Sequence, residues 1–243
     1  MGHRAAIFAC KPKSRCKEHK LSMDFVILFS ILGSGMLVYL QVSHRRRVKY
    51  ERGLLFDEVK HIFSNVQLVQ EGINYPKLTG TYQDYPLKLE PVVDTLAFRK
   101  LPVLWLFITQ YRSLKVKAPI DILLRPNGTE FFSPNSNFCQ EITPPKEGWP
   151  KHIRVASPDL DQAPSLEKFQ PLTQFLNDPS TKEILVTSKG IRIVWRIAEG
   201  NPIYYQVTRR AKINEVKLSV NQLIPILETL SKLGDALTEQ CEA

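Results

Sequence analysis

The sequence predicts an α+β protein: a single N-terminal transmembrane helix, then one domain with a mainly antiparallel sheet covered by two or three helices. Three observations predict it. An uncharged apolar run stands early in the chain, short alternating segments cut by Gly and Pro turns fill the middle, and two amphipathic helical patterns lie in the second half. At 243 residues the chain has room for one domain of ordinary size plus an appendage.

Residues 25–40 carry no charge, and Gln41, Val42 and Ser43 extend the run to nineteen residues. That length falls within the about 17–25 residues a membrane-spanning helix needs, and Tyr39 supplies an aromatic near one interface. A cleaved signal peptide would have a shorter apolar core and small residues at a cleavage site. Here Val42-Ser43-His44-Arg45 follows instead, so the expectation is an uncleaved anchor. Ser30 and Ser34 form a small-xxx-small pair, which permits weak self-association through the span.

The formal charge of +9 resembles that of a nucleic-acid binder until it is mapped. Residues 1–52 hold eleven of the 33 Lys/Arg and three of the 24 Asp/Glu, a net of +8, which leaves +1 for the remainder. A nearly neutral domain has no electrostatic footprint for phosphate backbones, which excludes nucleic acid. The basicity instead flanks the span and suits the lipid bilayer with its anionic headgroups. Lys/Arg counts on the two flanks nearly tie. Arg45, Arg46, Arg47 and Lys49 lie directly against the span, whereas Lys20 upstream is followed by Asp24. Met23 also offers an alternative start that would leave 1–22 untranslated. Both features favour a cytoplasmic C-terminal domain in the cell membrane. The segments expected are a basic tail over 1–22, an anchor over 23–43, a juxtamembrane helix over 44–70 and the domain over 75–243.

Within 50–69, Leu55, Val59, Ile62, Phe63 and Val66 are spaced as one helical face, which predicts that juxtamembrane helix. Residues 78–82 and 87–93 around Gln83-Asp84-Tyr85-Pro86 read as a hairpin. LPVLWLFITQY over 101–111 reads as a buried central strand, too short for a second span. Residues 120–124 form a strand closed by Arg125-Pro126-Asn127-Gly128. The stretch 119–164 holds eight of the seventeen prolines and is irregular except for a strand over 152–156. Its Phe131, Phe132, Phe138 and Trp149 predict packing onto the core. Ser165 caps a helix over 165–176, stopped by Asn177-Asp178-Pro179. Residues 183–187, 191–198 and 203–210 follow as strands, and Ser219 with Gln222 opens a last helix striped by Leu223, Leu227, Leu230, Leu233 and Leu237.

The chemistry is mostly excluded. The eleven glycines make no phosphate loop, no GxSxG elbow occurs, and the five histidines form no ligand pair, so no cofactor, metal or catalytic residue is assigned. Ser165 and Lys168 have SxxK spacing, but a serine opening a helix is already explained as a cap. Asp159 and Asp161 lack a third calcium ligand. Cys10 and Cys16 precede the span and Cys139 and Cys241 follow it, with no CxxC pair among them. Asn127-Gly128-Thr129 matches a glycosylation sequon but reads as a turn. One constellation carries a site hypothesis: Arg192 and Arg196 share a strand face and Arg209 and Arg210 end the next strand, a candidate surface for an anion or an acidic partner. The functional expectation is a non-enzymatic module that binds protein or lipid at the cytoplasmic face, its partner unidentified. The alternative is a membrane-anchored, hydrolase-like enzyme whose site is assembled from residues distant in sequence.

Overall fold

The computed structural model describes residues 15–94, 101–128, 130–145, 147–201, 203, 213 and 216–238, with residues 15–24 by backbone alone. The chain divides into two compact units, Met1–Val48 and Lys49–Ala243. The first contains most of helix α1 (Arg15–Gly53), in which every side chain from residue 25 to 47 is exposed. This helix is long and apolar enough to cross a membrane. A helix suits that role because its backbone groups are satisfied internally. Ser30 follows the same logic, its hydroxyl donating to the Val26 carbonyl at 2.8 Å.

The second unit is built on a nine-stranded sheet in which every pairing is antiparallel. In chain order the strands are β1 (Ser64–Val69), β2 (Lys77–Tyr82), β3 (Tyr85–Asp94), β4 (Val103–Tyr111), β5 (Ile120–Leu124), β6 (Gln140–Ile142), β7 (Ile153–Ser157), β8 (Thr181–Thr187) and β9 (Gly190–Glu199). Their order across the sheet is β1-β2-β3-β4-β9-β8-β5-β7-β6. The expected hairpin is β2–β3, closed by Gln83 and Asp84 alone, both at positive φ as such a tight turn requires. The β8–β9 hairpin closes through Ser188 and Lys189 onto Gly190 at φ 146°. There a Cβ would stand 2.0 Å from the Gln110 carbonyl oxygen, so only glycine fits. This hairpin lies between β4 and β5. The link from β4 to β5 passes the turn of the hairpin, and the amides of Arg112 and Leu114 donate to Lys189 and Ser188.

The strands turn one face to the core. Ile142, Val155, Ile122, Ile184, Ile193, Ile108, Leu89, Leu78 and Leu68 are successive cross-strand partners, an aliphatic row crossing all nine strands. The six from Val155 to Leu89 are 0% exposed, each worth about 1.5–3 kcal/mol in burial. Helix α3 (Val220–Thr238) is among the elements covering this face. The predicted stripe of Leu223, Leu227, Leu230, Leu233 and Leu237 is buried in the common core. Half of the capping box forms: the Ser219 amide donates to Gln222 Oε1 at 3.2 Å, while the Gln222 amide donates to the Ser219 carbonyl rather than to its hydroxyl. Arg112 further ties the helix down, paired with Asp235 at 2.8 Å and stacked 4.4 Å from the Tyr85 ring.

Three expected elements differ. The helix read over 44–70 ends at Gly53, giving way to 3-10 turns at Leu54–Phe56 and Lys60–Ile62 and then to β1. Leu55, Phe56 and Val59 are fully buried, so their spacing reflects insertion into the domain core rather than one side of a helix. Asn65 at positive φ interrupts any helical continuation. The compact unit that holds the sheet spans Lys49–Ala243. The segment 165–176 is a 3-10 helix, Leu166–Leu172, followed by one α-turn, α2 (Thr173–Leu176). Pro171 within it denies the α-helix a donor, while Ser165 caps as expected by accepting from the Glu167 amide. Strand β6 was not anticipated within 119–164. The strand expected over 203–210 lies outside the described residues apart from Ile203, as do the tail before Arg15, Cys10 and Cys241, while Cys16 is described by backbone alone.

Candidate functional site

The face of the sheet away from α3 is polar at its centre. Asp121 on β5, Leu185 on β8 and Arg192 on β9 lie in one cross-strand row, and Glu183 lies one row over. The segment after β5 folds back across them. Phe132 packs on Trp105 and Phe107, with ring centroids 6.1 and 5.3 Å away. Ser133 Oγ donates to Asp121 Oδ2 at 2.9 Å, and Asn135 Nδ2 donates to the Asp121 carbonyl oxygen at 3.3 Å. Beside this, Lys182 and Glu130 form a buried ion pair at 2.7 Å. The Lys182 ammonium also donates to the Arg125 carbonyl.

Asp121 and Glu183 are both 0% exposed. Burial, and then the charge of Glu183, push the Asp121 carboxyl up to about 8, against hydrogen bonds from Ser133 and Asn135. Burial also raises Glu183, opposed by the Arg192 guanidinium. Two carboxylates and one guanidinium leave a single negative charge out of water, and one proton cancels it. Asp121 Oδ1 and Glu183 Oε1 are both buried without a hydrogen-bond partner among the described residues. Glu130 behaves in the opposite way. Burial pushes its carboxyl up, but the hydrogen bonds from Lys182 and the Asn127 amide outweigh this and hold it below the usual range.

The arginine constellation is distributed differently from its expected form. Arg192 Nη2 donates to Glu183 Oε2 at 3.1 Å and to the Phe132 carbonyl at 3.3 Å, and its guanidinium lies 5.4 Å from the Phe107 ring centroid. Arg196 pairs with Glu199. Arg209 and Arg210 lie outside the described residues. Arg45, Arg46, Arg47 and Lys49 are exposed on α1. The SxxK pair is divided, since the Lys168 ammonium donates to the Ala236 carbonyl at 2.6 Å rather than to Ser165. Asp159 serves its own loop, accepting from the Asp161 amide and Gln162. Cys139 is free and exposed. Among the described residues no group of three or more His, Cys, Asp or Glu could hold a metal ion.

A second candidate lies at the β6 end of the sheet. Ile120, Ile142, Trp149, Leu160, Pro164, Leu166 and their neighbours line an open cleft of about 640 Å³. Among the described residues that line it, Glu167 is the only charged one. Two smaller clefts, about 310 and 300 Å³, flank the buried carboxyl pair on the other face, and neither includes Asp121 or Glu183 in its lining. Sequence reasoning found Arg192 but missed its acids. Asp121 within the apolar run Ile120-Asp121-Ile122-Leu123-Leu124 was the available signal, because a charge inside a buried strand requires a partner. The chain matches no protein-family model and no curated protein.

Proposed function

We propose that this protein is a single-pass, membrane-anchored binding module whose domain stands on the cytoplasmic side and engages a protein partner through the cleft beside β6. The observation that carries this reading is the contrast between the two candidates. The perturbed carboxyl pair is closed off beneath Phe132, Ser133 and Asn135, whereas the open cleft is lined mainly by apolar residues around Trp149. A cleft of that character suits recognition better than acid–base chemistry. Arg45, Arg46 and Arg47 support the orientation. The enzyme reading draws on the raised Asp121 and Glu183 groups alone, and an acid or base must reach its substrate to act.

Two measurements on the full chain test the proposal. A reporter that works only in the cytoplasm, fused after Ala243, is expected to give signal, and an exclusively external signal overturns the orientation. A photoreactive residue placed at exposed Thr143, in the cleft wall, is expected to yield a discrete protein adduct in intact cells that the same residue at Lys88 does not. Identical behaviour at both positions overturns the assignment of the cleft.

A further inference from the structure

The binding-module reading leaves the chemistry of the partner open, and two features beside the cleft narrow it. β6 is the terminal strand of the sheet, and its outer side has no backbone hydrogen bond among the described residues. Such an edge is a template for one more strand. Ile142, the last residue of β6, also lines the cleft, so a chain added along β6 would run past its opening.

Among the described residues, the charge around the cleft is mainly negative. Among the described residues of the two segments that form its walls, 142–149 and 159–170, the acids are Glu147, Asp159, Asp161 and Glu167. The single base, Lys168, is turned away to the Ala236 carbonyl. Glu147, Asp161 and Glu167 are exposed and have no ion-pair partner among the described residues. An acidic rim repels anionic lipid headgroups and attracts cations. The wall between the acids is Ile142, Trp149, Leu160 and Leu166, which asks for an apolar anchor.

We infer that the cleft and the β6 edge together take an extended segment of a partner protein, basic along its length with one apolar side chain, which adds to the sheet as a tenth strand. Backbone pairing to β6 supplies register, the apolar side chain fills the cleft against Trp149, and Lys or Arg on either side meet Glu167 and Asp161. This rests on the proposed binding role and goes further by specifying what is bound.

The test uses the full chain in nanodiscs of zwitterionic lipid and, as probe, a displayed library of random short peptides. The expected outcome is enrichment of sequences with Lys or Arg flanking a large apolar residue. Binding of a selected peptide should fall about tenfold in Glu167→Lys and again in Asp161→Lys, each about 1.4 kcal/mol. Both sites are exposed, so unchanged tryptophan fluorescence confirms that the variants fold. Hydrogen exchange at the amides of 140–142 should slow when the peptide binds. Enriched peptides without basic residues, or binding indifferent to both variants, overturn this inference while Thr143 adducts keep the binding module intact. Unaltered exchange at β6 overturns strand addition. Capture of anionic vesicles through the cleft, lost in a Trp149→Ala variant, overturns the protein partner in favour of lipid. A selection that yields no cleft-dependent binder, in a protein that also gives no Thr143-specific adduct, removes both readings.

Discussion

The two faces of the sheet use the same strands in opposite ways. On the covered face, Val155, Ile122, Ile184, Ile193, Ile108 and Leu89 abut strand by strand with no polar group in the row. One residue along each strand, the other face presents Asp121, Arg192, Thr109 and Lys88 in the adjoining row. The aliphatic row gains free energy simply by leaving water, and each member does so nearly independently. The polar row gains little net stability, because its charges lose hydration and recover it only through specific partners. One face therefore tolerates conservative change, while the other depends on every member of its network being present.

Breaking that dependence produces the largest expected effects. Glu130→Ala removes the carboxylate paired with the buried Lys182 ammonium and is expected to cost about 3–5 kcal/mol. Urea unfolding of the full chain in detergent, followed by tryptophan fluorescence, measures it. Ile193→Ala opens a cavity in the aliphatic row and is expected to cost about 2–5 kcal/mol in the same assay. A cost nearer that of an exposed site would mean the row is not the core.

The faces also separate by pH. Asp121 retains its proton in the folded chain up to about 8, whereas an unfolded chain releases it near the ordinary aspartate value of about 3.8. Between those values the folded state binds the extra proton. Stability from this group is therefore full in acid and is lost as pH rises toward 8, by about 1.4 kcal/mol per pH unit at most. Asp121→Asn keeps a hydrogen-bonding group that does not titrate and should flatten the profile. An unchanged profile in that variant would show that Asp121 does not carry this pH dependence.

The smallest expected effect lies on the apolar face, in the row beside the aliphatic one, where a polar residue stands between Leu87 and Ile191. Gln110 is fully buried and neither atom of its amide has a partner among the described residues. Gln110→Leu should therefore stabilise the chain by about 1 kcal/mol, read as a higher urea midpoint.

The apolar face was largely legible in the sequence and the polar face was not. Alternation of Ile191, Ile193 and Trp195 with Arg192 and Arg196 places β9 directly, and the leucine stripe places α3. Period alone misread residues 54–70, since Leu55, Phe56 and Val59 insert into the core from turns that happen to match a helical spacing. β6 escaped because three residues, two of them exposed, carry no period. The charge network escaped for a different reason. Asp121, Ser133, Glu183 and Arg192 are neighbours only through strand pairing, so Arg192 looked like a free cation when its acid was nine residues away across the β8–β9 hairpin.

The placement of that hairpin governs how the chain can assemble. β4, the most apolar strand, must wait for β9, and β5 must wait for β8, until everything between Tyr111 and Thr181 has been made. During synthesis β4 stands as an open edge, and the sheet closes only when the hairpin inserts as a keystone between two finished halves. Pairings this distant in sequence form slowly. A nascent chain of this kind would hold its stickiest strand exposed until its last third emerges, the interval in which misassembly competes most strongly with folding.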